Sequence, residues 1–240
     1  MDLNNSYYKT LNDNFNEALN LIEGNFEHTE IIELLKNGNI PQKQAAALKL
    51  ETVTSNEDVQ ILLSNLTGQD GKIREAVSNK VKYLISTGEL APYLDKNCDY
   101  YAEIFADAVA DINGNVCRNI ISSLDILKDY NNFCNKFSPV LIARINEMID
   151  LVNKIDFQDG KYKINKEVFK LYWYLEALFV MLKRISLDDV KKIITKTYLI
   201  DEYTIREKTA KILTRCSKDE DLDEICKKLK NDKNYYVRRF

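Results

Sequence analysis

The residue types that do chemistry are sparse in this chain. One histidine, His28, stands among 240 residues. A zinc helix with paired histidines, or a di-iron site built on repeated His–Glu pairs, cannot be assembled from it. His28 reads as a polar residue near the start of a helix. The five cysteines, Cys98, Cys117, Cys134, Cys216 and Cys226, are separated by 19, 17, 82 and 10 residues, with no Cys-x-x-Cys pair. That spacing argues against a thiolate zinc site. It fits reduced thiols in a cytoplasmic compartment better than a disulfide frame, with Cys117, Cys216 and Cys226 as small core residues. No Gly-x-Gly-x-x-Gly, Gly-Lys-Ser/Thr or Gly-x-Ser-x-Gly occurs. The carboxylates Asp219, Glu220, Asp221, Asp223 and Glu224 precede Lys227, Lys228 and Lys230. An acidic start and a basic end complement a helix dipole, so this run is read as structure. The expectation is a protein without catalytic residues, cofactor or metal.

What remains is binding. The segment from Val168 to Ile185 is apolar almost all round a helix. Projected at about 100° per residue from Val168, Leu171, Tyr172, Leu175, Leu178, Phe179 and Leu182 form the expected core stripe. Phe169, Trp173 and Val180 lie on another face, and Tyr174 and Met181 on a third. Trp173 is the only tryptophan. It is either squeezed into the core by neighbouring helices or the anchor of an exposed aromatic strip. With Lys170 and Glu176 interrupting it, the stretch falls short of the roughly 20 apolar residues that span a bilayer. The N-terminus has neither a basic nor an apolar region of the kind a signal peptide carries. The formal charge is −3 and the pI near 5.5, without the basic excess expected of a protein that grips a nucleic-acid backbone.

The elements that must position these residues are helices. Seven Gly and three Pro are too few to punctuate a sandwich, a barrel or an α/β fold. Apolar residues recur at helical spacing: Ile31, Leu34 and Leu35; Val59, Leu62, Leu63 and Leu66 after Ser55 and Asn56; Ile73, Val77, Val81 and Leu84; Tyr101, Phe105, Ala108 and Val109; Val116, Ile120, Leu124 and Leu127. A further helix is expected to open at Ser138-Pro139, with Ile142, Ile145, Ile149 and Val152 as its stripe, and another at Ser186. Residues 4–23 are expected to form an N-terminal capping helix.

Short Gly, Asn and Asp turns lead into segments that resemble one another, among them Ile73-Arg74, Val116-Cys117, Ile205-Arg206 and Val237-Arg238. With Gln42 and Ile164 added, these markers recur at gaps of 31, 43, 48, 41 and 32 residues. The longer gaps mark connections around Cys134 and Phe157. A period near forty with two helices per unit matches the HEAT and armadillo class. The phrases Asp201-Glu-Tyr-Thr-Ile205-Arg206 and Asp232-Lys-Asn-Tyr-Tyr-Val237-Arg238 resemble the turn of HEAT repeats. That resemblance implies an all-α fold, a right-handed α–α superhelix of about five helix pairs, as a single domain over residues 1–240. It also implies that the turn Asp and the helix-opening Arg link neighbouring repeats rather than bind ligands.

In such solenoids the second helix of each pair lines the concave face. Positions two, six and nine after each marker then look outward: Gln44, Leu48 and Glu51; Glu75, Asn79 and Lys82; Arg118, Ser122 and Asp125; Lys166, Lys170 and Trp173; Glu207, Lys211 and Thr214. Their charge is mixed, which suits a protein or peptide better than nucleic acid. The expected function is a non-catalytic scaffold whose partner meets Asn79, Lys82, Arg118, Ser122, Lys166, Lys170, Trp173 and Lys211. The rival is a DNA-binding enzyme resembling the HEAT-like alkylpurine DNA glycosylases, with Trp173 beside Lys166 or Lys170. Lyase and chaperone subunits built from HEAT-like repeats are a third possibility, supported by fold analogy alone.

Overall fold

The computed structural model describes residues 13, 16, 19–155, 165–216 and 220–240, and every regular element among them is helical. In chain order these are α1 (His28–Asn37), α2 (Ile40–Lys49), α3 (Asn56–Ser64), α4 (Gly71–Ser86), α5 (Ala91–Lys96), α6 (Cys98–Val109), α7 (Gly114–Leu127), α8 (Asn131–Val152), α9 (Lys166–Met181), α10 (Leu187–Thr197), α11 (Tyr203–Leu213), α12 (Glu220–Lys230) and α13 (Tyr235–Arg238). A 3-10 turn, Leu182–Arg184, follows α9. Of the expected N-terminal cap, residues 13, 16 and 19–23 are described and helical; the rest of it, Ile164 and Phe157 lie outside the described residues. The chain divides into two compact units, Met1–Lys96 and Asn97–Phe240.

In the first unit α1 packs on α2 and α3, α2 on α4, and α3 on α4. Buried Asn65 ties them: its amide donates to the Leu35 and Ile61 carbonyls at 3.0 and 2.8 Å and accepts from Lys43 at 2.8 Å. The lone histidine opens α1 and meets Asp58 of α3 at 2.9 Å, so it joins two helices.

In the second unit the pattern is that of paired helices. Each of α6–α7, α8–α9, α10–α11 and α12–α13 packs within its pair. The first helices also touch along α6, α8 and α10, and the second helices along α7, α9, α11 and α13. Asn113, Asn165, Glu202 and Asn234 cap the second helices, each side chain accepting an amide from the first turn. The residue after the marker then clasps the preceding turn. Arg206 Nη1 donates to the Ile200 and Asp201 carbonyls at 2.8 and 2.6 Å, Arg238 Nη1 to those of Asp232 and Lys233 at 2.6 and 2.9 Å, and Cys117 Sγ to that of Asp111 at 3.0 Å. Arg74 does the same to Gln69 in the first unit.

Helix α8 departs from the sequence expectation. It begins at Asn131 rather than at Ser138, and Pro139 lies inside it. An internal proline costs a helix about 3 kcal/mol. Burial of Phe133 and Phe137 in the preceding turns offsets that: their rings stack at 5.4 Å, and Phe133 meets Phe105 of α6 edge-on at 5.4 Å. Ser138 is buried, not a cap.

Helix α9 corrects a second expectation. Its buried residues are Leu171, Tyr174, Leu175, Ala177, Leu178 and Met181. Tyr172, Phe179 and Leu182, assigned to the core stripe, are only half-buried, whereas Tyr174 and Met181 are core. The core direction is therefore rotated by roughly a quarter turn from Val168, because α9 packs against α8, α7 and α11 together.

Candidate functional site

The buried spacing sets the register of the second helices. In α7 the buried residues Ile120, Ser123, Leu124 and Leu127 follow steps of three, one and three; Leu171, Tyr174, Leu175 and Leu178 of α9 repeat those steps. Glu167 therefore takes the place that Val116 takes in α7, three residues after the marker expected at Ile164. The outward positions of α9 become Phe169, Trp173 and Glu176. Trp173 keeps an outward place beside Ser122 of α7 and Lys211 of α11. Lys166 is exposed at the first residue of α9, and Lys170 is half-buried beside the core arc; neither falls in the outward columns. The helix start is marked by Asn165, whose Oδ1 accepts from the Glu167 and Val168 amides at 2.9 and 3.3 Å; by the spacing of the other caps it points to Val168, within one residue of the register that burial gives.

Around Trp173 the outward face is built from rings and cations. Phe169 and Tyr172 meet the indole edge-on, with centroids at 6.1 and 5.3 Å. The Arg118 guanidinium lies 5.9 Å above the indole, held by a 2.8 Å bond to Asn115 Oδ1. Gly114 lies beside it, where an added β-carbon would meet Cζ2 at an ordinary contact distance of 3.7 Å. The indole is thus half-buried between α7 and α9, with its Nε1 enclosed and unpaired among the described residues. Ser122 stands exposed on the next turn of α7.

One helix along, Glu176 is the pivot. Its carboxylate accepts from Lys211 at 2.8 and 3.2 Å and forms a close ion pair with Lys208. Lys208 also lies 4.3 Å over the Tyr172 ring; Lys211 and Arg215 lie over Phe179 at 4.4 and 5.3 Å. Burial raises the Glu176 carboxyl, but the two lysines outweigh it and hold it below its ordinary value. Burial lowers Lys208, and its bonds to Glu176 and Tyr172 reverse the shift. Both stay charged at neutral pH. The rung continues to α13, where Arg239 pairs with Glu207 at 2.6 Å.

Asn79 and Lys82 come together in the first unit, on the outward face of α4. There they line a shallow concavity with exposed Leu48 and Tyr83. Lys80 lies 5.0 Å over the Tyr83 ring, and its ammonium is lowered by burial against the raising effect of Glu51.

The five cysteines form no disulfide with one another, and burial with the nearby Asp111 charge pushes the Cys117 thiol up to about 12, far from a reactive thiolate. Among the described residues no group of three His, Cys, Asp or Glu side chains is disposed to hold a metal, and no helix is long and apolar enough to cross a membrane. No protein-family model, no curated protein and no solved structure matches this chain.

Proposed function

We propose that this chain is a non-catalytic, HEAT-like scaffold whose units are solenoidal stacks of helix pairs, and that it holds a protein or peptide partner on the face made by its second helices. The observation that carries the reading is the half-buried indole of Trp173, set between the second helices α7 and α9 under Arg118. A rigid aromatic at the centre of a polar rim is the commonest anchor of protein interfaces. The packing of second helix on second helix and the Arg clasps before α11 and α13 support the HEAT resemblance. Five cysteines with no disulfide among them suit a reducing, cytoplasmic setting. A DNA-binding enzyme of the alkylpurine glycosylase type has less support, since the chain carries no basic excess, its formal charge being −3.

A photo-cross-linking side chain placed at Ser122 on α7, and separately at Asp150 on α8, tests the reading in host extract. A protein adduct from Ser122 and not from Asp150, weakened in Trp173→Ala and retained in Trp173→Phe, is the expected result. Equal adducts from both positions, or none from Ser122, would sink it.

A further inference from the structure

Around the outward face of α7, α9 and α11 and the turns just past α11 and α13 stand the cations Arg118, Lys128, Lys211, Arg215 and Arg239, with Lys208 buried beneath, against the carboxylates Asp125, Glu176 and Glu207. The Glu176 and Glu207 side chains are only 14% and 13% exposed, while their partners Lys211 and Arg239 are 27% and 44% exposed. Arg118 and Arg215 are exposed outright, and Asp125 is tied to Lys128 at 2.5 Å. Glu176, Glu207 and Lys208 thus lie deep, beneath the more exposed Lys211, Arg239, Arg118 and Arg215, and Asp125 is the one acid at the surface, 62% exposed.

The rings constrain what the rim can hold. Trp173, Tyr172 and Phe179 each already carry a cation over one face, and the edges of Phe169 and Tyr172 close on the indole. Nucleic-acid bases bind such surfaces by stacking on open ring faces. Here a cation already covers one face of each of these rings. A guanidinium stacked on a ring still presents its N–H edge outward, in the fork geometry that suits a carboxylate. The recessed acids hold the lysine and arginine heads in place before a partner arrives, which reduces the ordering cost of binding.

We infer that the occupant of this face is an acidic segment of a partner protein, its carboxylates on Arg118, Lys211, Arg215 and Arg239 and its apolar side chains on Phe169 and Trp173. The inference rests on the proposed binding role and adds the chemistry of the partner.

The test measures fluorescence anisotropy of the full chain with a labelled peptide of alternating Glu and Phe, the same peptide with Gln for Glu, and an oligo(dT) strand of equal length. The Glu peptide is expected to bind, to weaken as salt rises, and to bind at least about tenfold tighter than the Gln peptide. Arg118→Glu with Arg215→Glu should lower its affinity about tenfold or more at unchanged circular dichroism. Lys72→Glu with Lys96→Glu, the same charge change at two exposed positions of the first unit, should leave it unaltered. Equal binding of the Glu and Gln peptides, no effect of the double reversal, or tighter binding of oligo(dT) would overturn the inference. A Ser122 adduct insensitive to the double reversal would leave the scaffold reading standing and remove this one. Absence of both adduct and peptide binding would remove both.

Discussion

Arg206 of α11 and Asp232 of the turn before α13 meet at 2.7 Å, with side chains only 8% and 10% exposed. The same guanidinium donates to the Ile200 and Asp201 carbonyls, and Asp232 accepts the Asn234 amide at 2.7 Å. One arginine thus closes its own turn and fixes the next. Burial raises the Asp232 carboxyl, but Arg206 and the Asn234 amide hold it below its ordinary value, so the pair is ionic.

Removing one partner of a buried pair typically costs about 3–5 kcal/mol, because the other charge is stranded. Asp232→Asn should therefore loosen the α11–α13 region, and Arg206→Ala should loosen it more, since two carbonyls also lose their donor. Amide hydrogen exchange across Tyr203–Leu213 and Tyr235–Arg238 reads this out locally. Equal protection in wild type and Arg206→Ala would contradict the clasp.

How much of this was legible in the sequence depends on where each element takes its instructions. The stripes of α4, α6 and α7 are one-sided and were readable, as were the caps Ser55 and Ser186. Helix α9 was not, because three neighbours bury it and its hydrophobic pattern points nowhere in particular. Its start needed the cap Asn165, which lies beyond the marker expected at Ile164. The partners of Glu176 lie 32 and 35 residues away on α11, and no local pattern announces them. The start of α8 was misread because Ser138-Pro139 has the chemistry of a helix opening, while Phe133 and Phe137 carry the stronger claim of burial.

The Asp58 carboxylate supplies a pH signature in the first unit. Burial raises it, but the Thr54 amide, His28, and the Thr54 and Ser55 hydroxyls outweigh that and hold it at about 2, against an ordinary 3.8. A depressed carboxylate contributes stability that is complete above its unfolded value and is lost as pH falls through its folded one. The shift corresponds to roughly 2 kcal/mol, present above pH ~4 and fading between pH ~4 and ~2. Hydrogen exchange of α1 and α3 against pH should show this loss in wild type. Asp58→Asn should be weaker at neutral pH and nearly flat across that window. Parallel pH curves for the two proteins would refute the assignment.

Glu176 and Lys208 form the corresponding test within the candidate site. Glu176→Gln leaves Lys208, whose side chain is 9% exposed, without its counter-charge. The expected cost is about 3 kcal/mol. Pairing Glu176→Gln with Lys208→Met should recover most of it, because an apolar side chain of similar length needs no counter-ion there. Additive losses in urea unfolding would mean that the two charges are not coupled.

Trp173, as the sole tryptophan, makes the face visible by its own fluorescence. Its half-buried indole should emit between the extremes of a dry core and free solvent, and acrylamide should quench it only in part. The Arg118 guanidinium covers one side of the ring and Gly114 lies beside Cζ2. Arg118→Ala should raise the quenching constant while leaving helicity intact, with a loss of about 1 kcal/mol at most for a cation–π contact at an exposed edge. Gly114→Ala should leave it nearly unchanged, since the added carbon meets the indole at an ordinary contact distance of 3.7 Å. If both substitutions move the spectrum equally, the indole is packed by general crowding and not by the arginine. If Arg118→Ala leaves quenching unchanged, the cation does not shield the ring in solution, and the rim over Trp173 loses its first member.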